Sequence, residues 1–124
     1  MPLDDDARSL HARHLLLPEI GQAGQELLCA ASARPARSAE PRAEATARDY
    51  LERAGVAWRD APGAESCAVP DAATVERVAG RPDLEEAAAM LVGALAAVET
   101  IKSITGAGRV VALSSLPTLC GEPE

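Results

Sequence analysis

Ser32 to Pro41 reads SARPARSAEP, and the reading of this stretch decides whether the chain has a sheet at its centre. It shows no apolar period and contains Pro35 and Pro41, so it reads as coil over 32–41. Upstream, Gln22 to Ala31 reads as a helix with Leu27, Leu28 and Ala31 on one side and Cys29 as a small buried residue. Pro18 and Gly21 separate it from a first short helix, Asp4 to Leu16, whose early acids complement the helix dipole. Downstream, Arg42 to Ala54 recovers a helical pattern in which Ala43, Ala47, Tyr50, Leu51 and Ala54 share a face, and Gly55 stands at the stop.

Further along, Val56 to Arg59 reads as a short strand and Asp60 to Gly63 as a turn-like link. A short helix ends at Ala79, opened by Asp71 or Ala72 and closed by Gly80. Asp83 to Thr105 carries the strongest pattern: Asp83 as N-cap, Glu85 and Glu86 in the first turn, Gly106 past the end. Leu84, Ala88, Leu91, Leu95, Val98 and Ile101 recur at helical spacing, with Glu99 and Lys102 on another face. Arg109 to Ser114 reads as a strand and the terminal GEPE as solvated. There is no internal repeat. The expectation is a single domain, 1–124: helices over 1–31, coil over 32–41, a helix and short strand over 42–63, and a C-terminal half, 64–124, built on the long helix 83–105.

Composition narrows the functional classes. The chain has 124 residues and is 48% hydrophobic, yet 27 of them are alanine, there is no Phe, and Tyr50 and Trp58 are the aromatics. Alanine buries little area, and stabilisation follows area at roughly 25 cal/mol per Å². The core must therefore rest on Leu, Val and Ile, and a partner that covers apolar surface would add stability. A net charge of −7 with Lys102 as the lone lysine argues against nucleic acid, which rewards clustered cations. The acidic start, MPLDDDARS, is unlike a signal peptide, and the apolar run Ala87 to Val98 is shorter than the ~20 residues a bilayer needs. Three cysteines fit a reducing compartment, so the expectation is a cytoplasmic protein without membrane or nucleic-acid partners.

Three collinear patches resemble the ThiF/MoeB/HesA family, adenylyltransferases that activate sulfur-carrier and ubiquitin-like proteins. The first is RHLLLPEIGQAGQELL, from Arg13, similar to the family's N-terminal pattern; Leu10 and His11 stand where the family has an arginine and a tyrosine. The resemblance implies that Arg13 reaches across a dimer to the ATP phosphates of the partner subunit, a task suited to a charged donor fork. The second, Gly93 to Arg109, GALAAVETIKSITGAGR, resembles the family's helix near the C-terminus. The third is a pair of half-sites for the family's structural zinc, which two CxxC pairs hold as four thiolates. Cys67 and Cys120 stand as vestigial ligands, with Ala64 and Pro117 in the other two slots. Two thiolates would hold zinc poorly.

What the resemblance implies is an α/β, Rossmann-like fold by ancestry, here truncated and helix-dominated, with a small residual sheet from Val56 to Arg59 and Arg109 to Ser114. In function it implies the ATP, Mg and Zn of the family. The glycine-rich loop that lets a backbone approach phosphates is missing, as are the metal carboxylate and the reactive cysteine. The expectation is therefore a pseudoenzyme without cofactors of its own, at most a non-catalytic partner that dimerises with itself or with an intact ThiF-like protein and meets a sulfur-carrier or ubiquitin-like protein. The alternatives are an active adenylyltransferase, or a decayed or misread gene product in which 32–42 is out of frame. Other chemistry is thin: His11 and His14 with Asp6 or Glu19 could approach a metal, though exposed histidines are usually solvated, and Ser114 and Ser115 lack a paired base.

Overall fold

The computed structural model describes residues 6, 20–108, 113 and 116–118. The expected first helix, apart from Asp6, lies outside them, as does the expected strand 109–114 apart from Leu113. Over the described residues the chain is an α/β structure, helix-dominated, with a small three-stranded parallel sheet. Its elements are α1 (Gly21–Ala30), β1 (Ser32–Pro35), α2 (Pro41–Arg53), β2 (Ala57–Trp58), β3 (Glu65–Cys67), α3 (Ala72–Ala79), a 3-10 turn at Pro82–Leu84, and α4 (Glu85–Thr105).

The coil expected over 32–41 is corrected: Ser32–Pro35 is β1, the central strand of the order β2-β1-β3. Ser32 and Ala33 pair with Ala57 and Trp58 on one side. Ala33, Arg34 and Pro35 pair with Glu65, Ser66 and Cys67 on the other. A strand buried on both faces advertises itself as an apolar run, whereas here Ala33 is buried and Arg34 exposed. Pro35 is tolerated because it is the strand's last residue, and Ala36 N–H resumes the ladder to Cys67 O at 3.1 Å. Among the described residues the sheet is thus built from β1, β2 and β3. The expected strand at 56–59 is present as Ala57–Trp58, joined to β1 by α2 in a parallel crossover.

The helices begin and end where local chemistry directs. Pro41 opens α2 at a position where its missing N–H costs nothing. Asp71 caps α3 by accepting from Thr74 N–H and Oγ1 at 2.9 Å each, and Gly80 closes it with φ 73°. Gly106, with φ 74°, closes α4 through its N–H to Lys102 O at 2.8 Å. The expected cap at Asp83 is corrected: its carboxylate pairs with the Arg81 guanidinium at 2.9–3.0 Å, and Leu84 precedes α4 without a side-chain cap. Glu85 and Glu86 still place acids in the first turn, where they complement the helix dipole.

Which faces are buried differs from the pattern of large residues. On α4 the buried face is Ala88, Ala89, Val92, Gly93, Ala96, Ala97 and Thr100, while Leu91 and Val98 are exposed. The alanine face lies against α2, the neighbour that α4 packs with most extensively, and against α3, α1 and β3. On α2, Ala43, Ala47 and Leu51 are fully buried but Tyr50 is half exposed. On α1 the buried face is Gly24, Gln25 and Leu28, while Leu27 is half exposed; Cys29 is exposed, so its expected burial is corrected. Gln25 is buried with a partner, its Nε2 donating to Ala54 O at 2.8 Å across to the end of α2. By length and composition alone the helix over Pro82–Thr105 could cross a membrane, but in this fold one side of it forms the centre of the core.

Candidate functional site at the carboxyl end of the central strand

In open parallel sheets, ligands gather beyond the carboxyl ends of strands where connections diverge. Here that place is the segment 36–40 between β1 and α2, flanked by β3. Its sequence, Ala36 to Glu40, contains no glycine, although Ser38 adopts φ 60° in the turn. The segment is tied down at both ends, by Ala36 N–H to Cys67 O and by Glu40 N–H to Pro70 O at 2.9 Å.

At the start of α2 the first-turn amides face an anion, and the anion is the chain's own. The Glu40 carboxylate, 5% exposed, accepts from Arg42 N–H at 3.1 Å and from Ala43 N–H at 3.0 Å. Arg42 Nε adds a third bond at 2.9 Å, and the same guanidinium reaches Glu85 at 3.7 Å. A phosphate at this helix start would need these same amides. Burial pushes the Glu40 pKa up. The hydrogen bonds from the Arg42 side chain and from the Arg42 and Ala43 amides, with the Arg42 charge, outweigh it and hold the group below its ordinary 4.5.

A carboxyl with a depressed folded pKa stabilises the fold above its unfolded pKa and loses that contribution as pH falls through the folded value. Glu40→Gln is therefore expected to cost about 1 kcal/mol near neutrality, the usual worth of a helix cap. The gap to wild type should close on acidification below 4.5. Urea unfolding of both chains at about pH 7 and about pH 3 measures this; a gap that persists undiminished in acid would remove the charge of Glu40 from the account.

The residues expected from the sequence are not gathered here. Arg13, His11, His14, Glu19, Ser114, Ser115 and Cys120 lie outside the described residues, and Asp6 is exposed. Cys67 ends β3 fully buried; burial pushes its thiol up, against a smaller opposing effect of the Thr100 side chain. A thiol held neutral in the core is a poor start for a zinc site, since the thiolate is the ligand. Ala64, the slot three residues before it, lies just ahead of β3. Among the described residues no group of three metal-binding side chains comes together.

Sequence reasoning missed Glu40, because glutamate is not a favoured N-cap residue; the available signal was its place directly before Pro41, a proline at a helix start. It also missed that Arg34 and Ser66 become neighbours, since strand register joins residues distant in sequence. Comparison with family models, with curated proteins and with solved structures finds no match to this chain.

Proposed function

We propose that the chain is a divergent relative of the ThiF/MoeB/HesA adenylyltransferases that does not bind ATP at its first crossover and serves as a non-catalytic partner of an intact relative. The observation that carries the reading is Glu40: the helix start that would face phosphates is filled by an internal carboxylate. The parallel order β2-β1-β3, with β1 leading into α2, supports descent from a nucleotide-binding α/β fold. That Ser32–Pro35 forms the central strand supports treating the segment as a working part of the chain instead of a frame error. In this reading the chain needs no Mg or Zn of its own, and Arg13 supplies a cation to the phosphates bound by its partner. The assembly's product would be an adenylated sulfur-carrier or ubiquitin-like protein in the cytoplasm.

Co-purification with an intact ThiF-like protein encoded in the same genome, followed by ATP–pyrophosphate exchange, tests it. Association is expected, and Arg13→Ala should leave it intact while slowing exchange about a hundredfold, the scale for removing one donor to developing charge. Equal rates for variant and wild type would release Arg13 from the proposal. Adenylated carrier made by the purified chain alone would replace it with the active-enzyme reading.

A further inference from the structure

On the sheet face that carries Arg34, a cleft of about 410 Å³ is lined by Arg34, Pro35, Ala36, Arg37, Asp60 and Ser66. We propose that this cleft binds a phosphate dianion, as free phosphate or as a small phosphomonoester, through Arg34, Arg37 and the Ser66 hydroxyl. The placement follows from the fold. Arg34 and Ser66 are register partners on adjacent parallel strands, so both side chains stand on the same face one strand spacing apart. Arg37 follows three residues on, in the turn that leaves the strand, and Asp60 comes from the link between β2 and β3.

The charges favour an anion. The chain as a whole carries −7, yet this cleft holds two guanidinium groups against one carboxylate. Arg34 meets Asp60 through a single long contact, 3.5 Å, between side chains 49% and 81% exposed. Such surface pairs are worth ~0–1 kcal/mol, so a doubly charged oxyanion displaces Asp60 at little cost. Arg37 has no carboxylate partner among the described residues. Guanidinium forks match phosphate oxygens in bidentate geometry, and the serine hydroxyl supplies a further donor. The cleft does not use the amides at the start of α2, which Glu40 occupies, so it is separate from a helix-start phosphate site.

The test is a titration of the full chain, followed by amide chemical shifts, with sodium phosphate and with AMP at constant ionic strength, sodium chloride being the reference. Saturable shifts around Arg34, Arg37 and Ser66 are expected. Arg34→Ala and Arg37→Ala should each weaken binding roughly tenfold, the scale of one charge-assisted hydrogen bond. Asp60→Asn should tighten it about threefold, and Arg48→Ala, on the exposed side of α2, should leave it unchanged. All four side chains are exposed, so unfolding does not mask the readout. Saturation by phosphate alone identifies the free ion as ligand, and saturation by AMP as well identifies a phosphomonoester; both support the site. Shifts no different from those with chloride, or full affinity in an Arg34→Ala/Arg37→Ala double variant, would overturn it.

Discussion

Gly93→Ala is expected to destabilise the fold by about 2 kcal/mol, even though alanine is the better helix former by ~1 kcal/mol. Gly93 sits where α4 crosses α2. A Cβ built on it would overlap the Ala43 carbonyl oxygen and stand 3.0 Å from both the Ala43 carbonyl carbon and the Thr46 Cβ. The obstruction is mainly backbone, which cannot rotate aside as a long side chain would. Relief requires the two helices to separate, and separation loosens the alanine contacts on both sides of the crossing. Urea unfolding should show the midpoint falling by about 1 M or more, with the slope unchanged. A variant as stable as wild type, or more so, would mean that α2 and α4 do not approach this closely.

That crossing explains what the sequence concealed about α4. Its helical pattern groups Leu84, Ala88, Leu91, Leu95, Val98 and Ile101, of which Ala88 is buried as that grouping implies, but leucine and valine dominate any count of hydrophobicity and draw the stripe towards the large residues. In the fold, Leu91 and Val98 are 39% and 41% exposed, while Ala88, Ala89, Ala96 and Ala97 are buried. Distance between helix axes depends on the side chains at the contact, and small residues on both helices allow the close approach seen at Gly93. A chain rich in alanine thus gains its core by proximity as well as by side-chain area, with Val92 and Leu51 filling the space that alanine leaves.

Local signals were legible where one residue settles the matter. Asp71 before α3 and glycines at 80 and 106 define helix ends through a single cap or a single positive φ. Non-local arrangements were not. β1 is too short and too polar to announce itself, and it exists because β2 and β3 pair with it from either side. The same pairing brings Ser66 beside Arg34. Glu40 belongs to this second class too: its value depends on burial and on Arg42 as well as on its place before the helix. The ThiF-like reading drew on patches at Arg13–Leu28 and Gly93–Arg109 and on the half-sites at Cys67 and Cys120, so it was silent about the charges at the end of β1.

Leu51→Ala should carry a cost of about 3 kcal/mol, within the range for truncating a buried leucine. Leu51 is fully buried on α2, and it belongs to the same cluster as Leu28, Val56 and Val92. Its surroundings include rigid backbone, because Val56 N–H bonds to Leu51 O at 2.9 Å as the chain turns from α2 towards β2. A site held in this way collapses little when side-chain atoms are removed, so the cavity adds to the lost transfer energy. Tyr50, adjacent in sequence and grouped with Leu51 by the helical pattern, is 51% exposed. Tyr50→Ala should therefore cost less than about 1 kcal/mol, in keeping with a partly solvated position. The pair is sharper than either substitution alone: thermal or urea unfolding of both variants should separate them by about 2 kcal/mol. Equal losses would mean that α2 is rotated about its axis, with the aromatic ring sharing the interior.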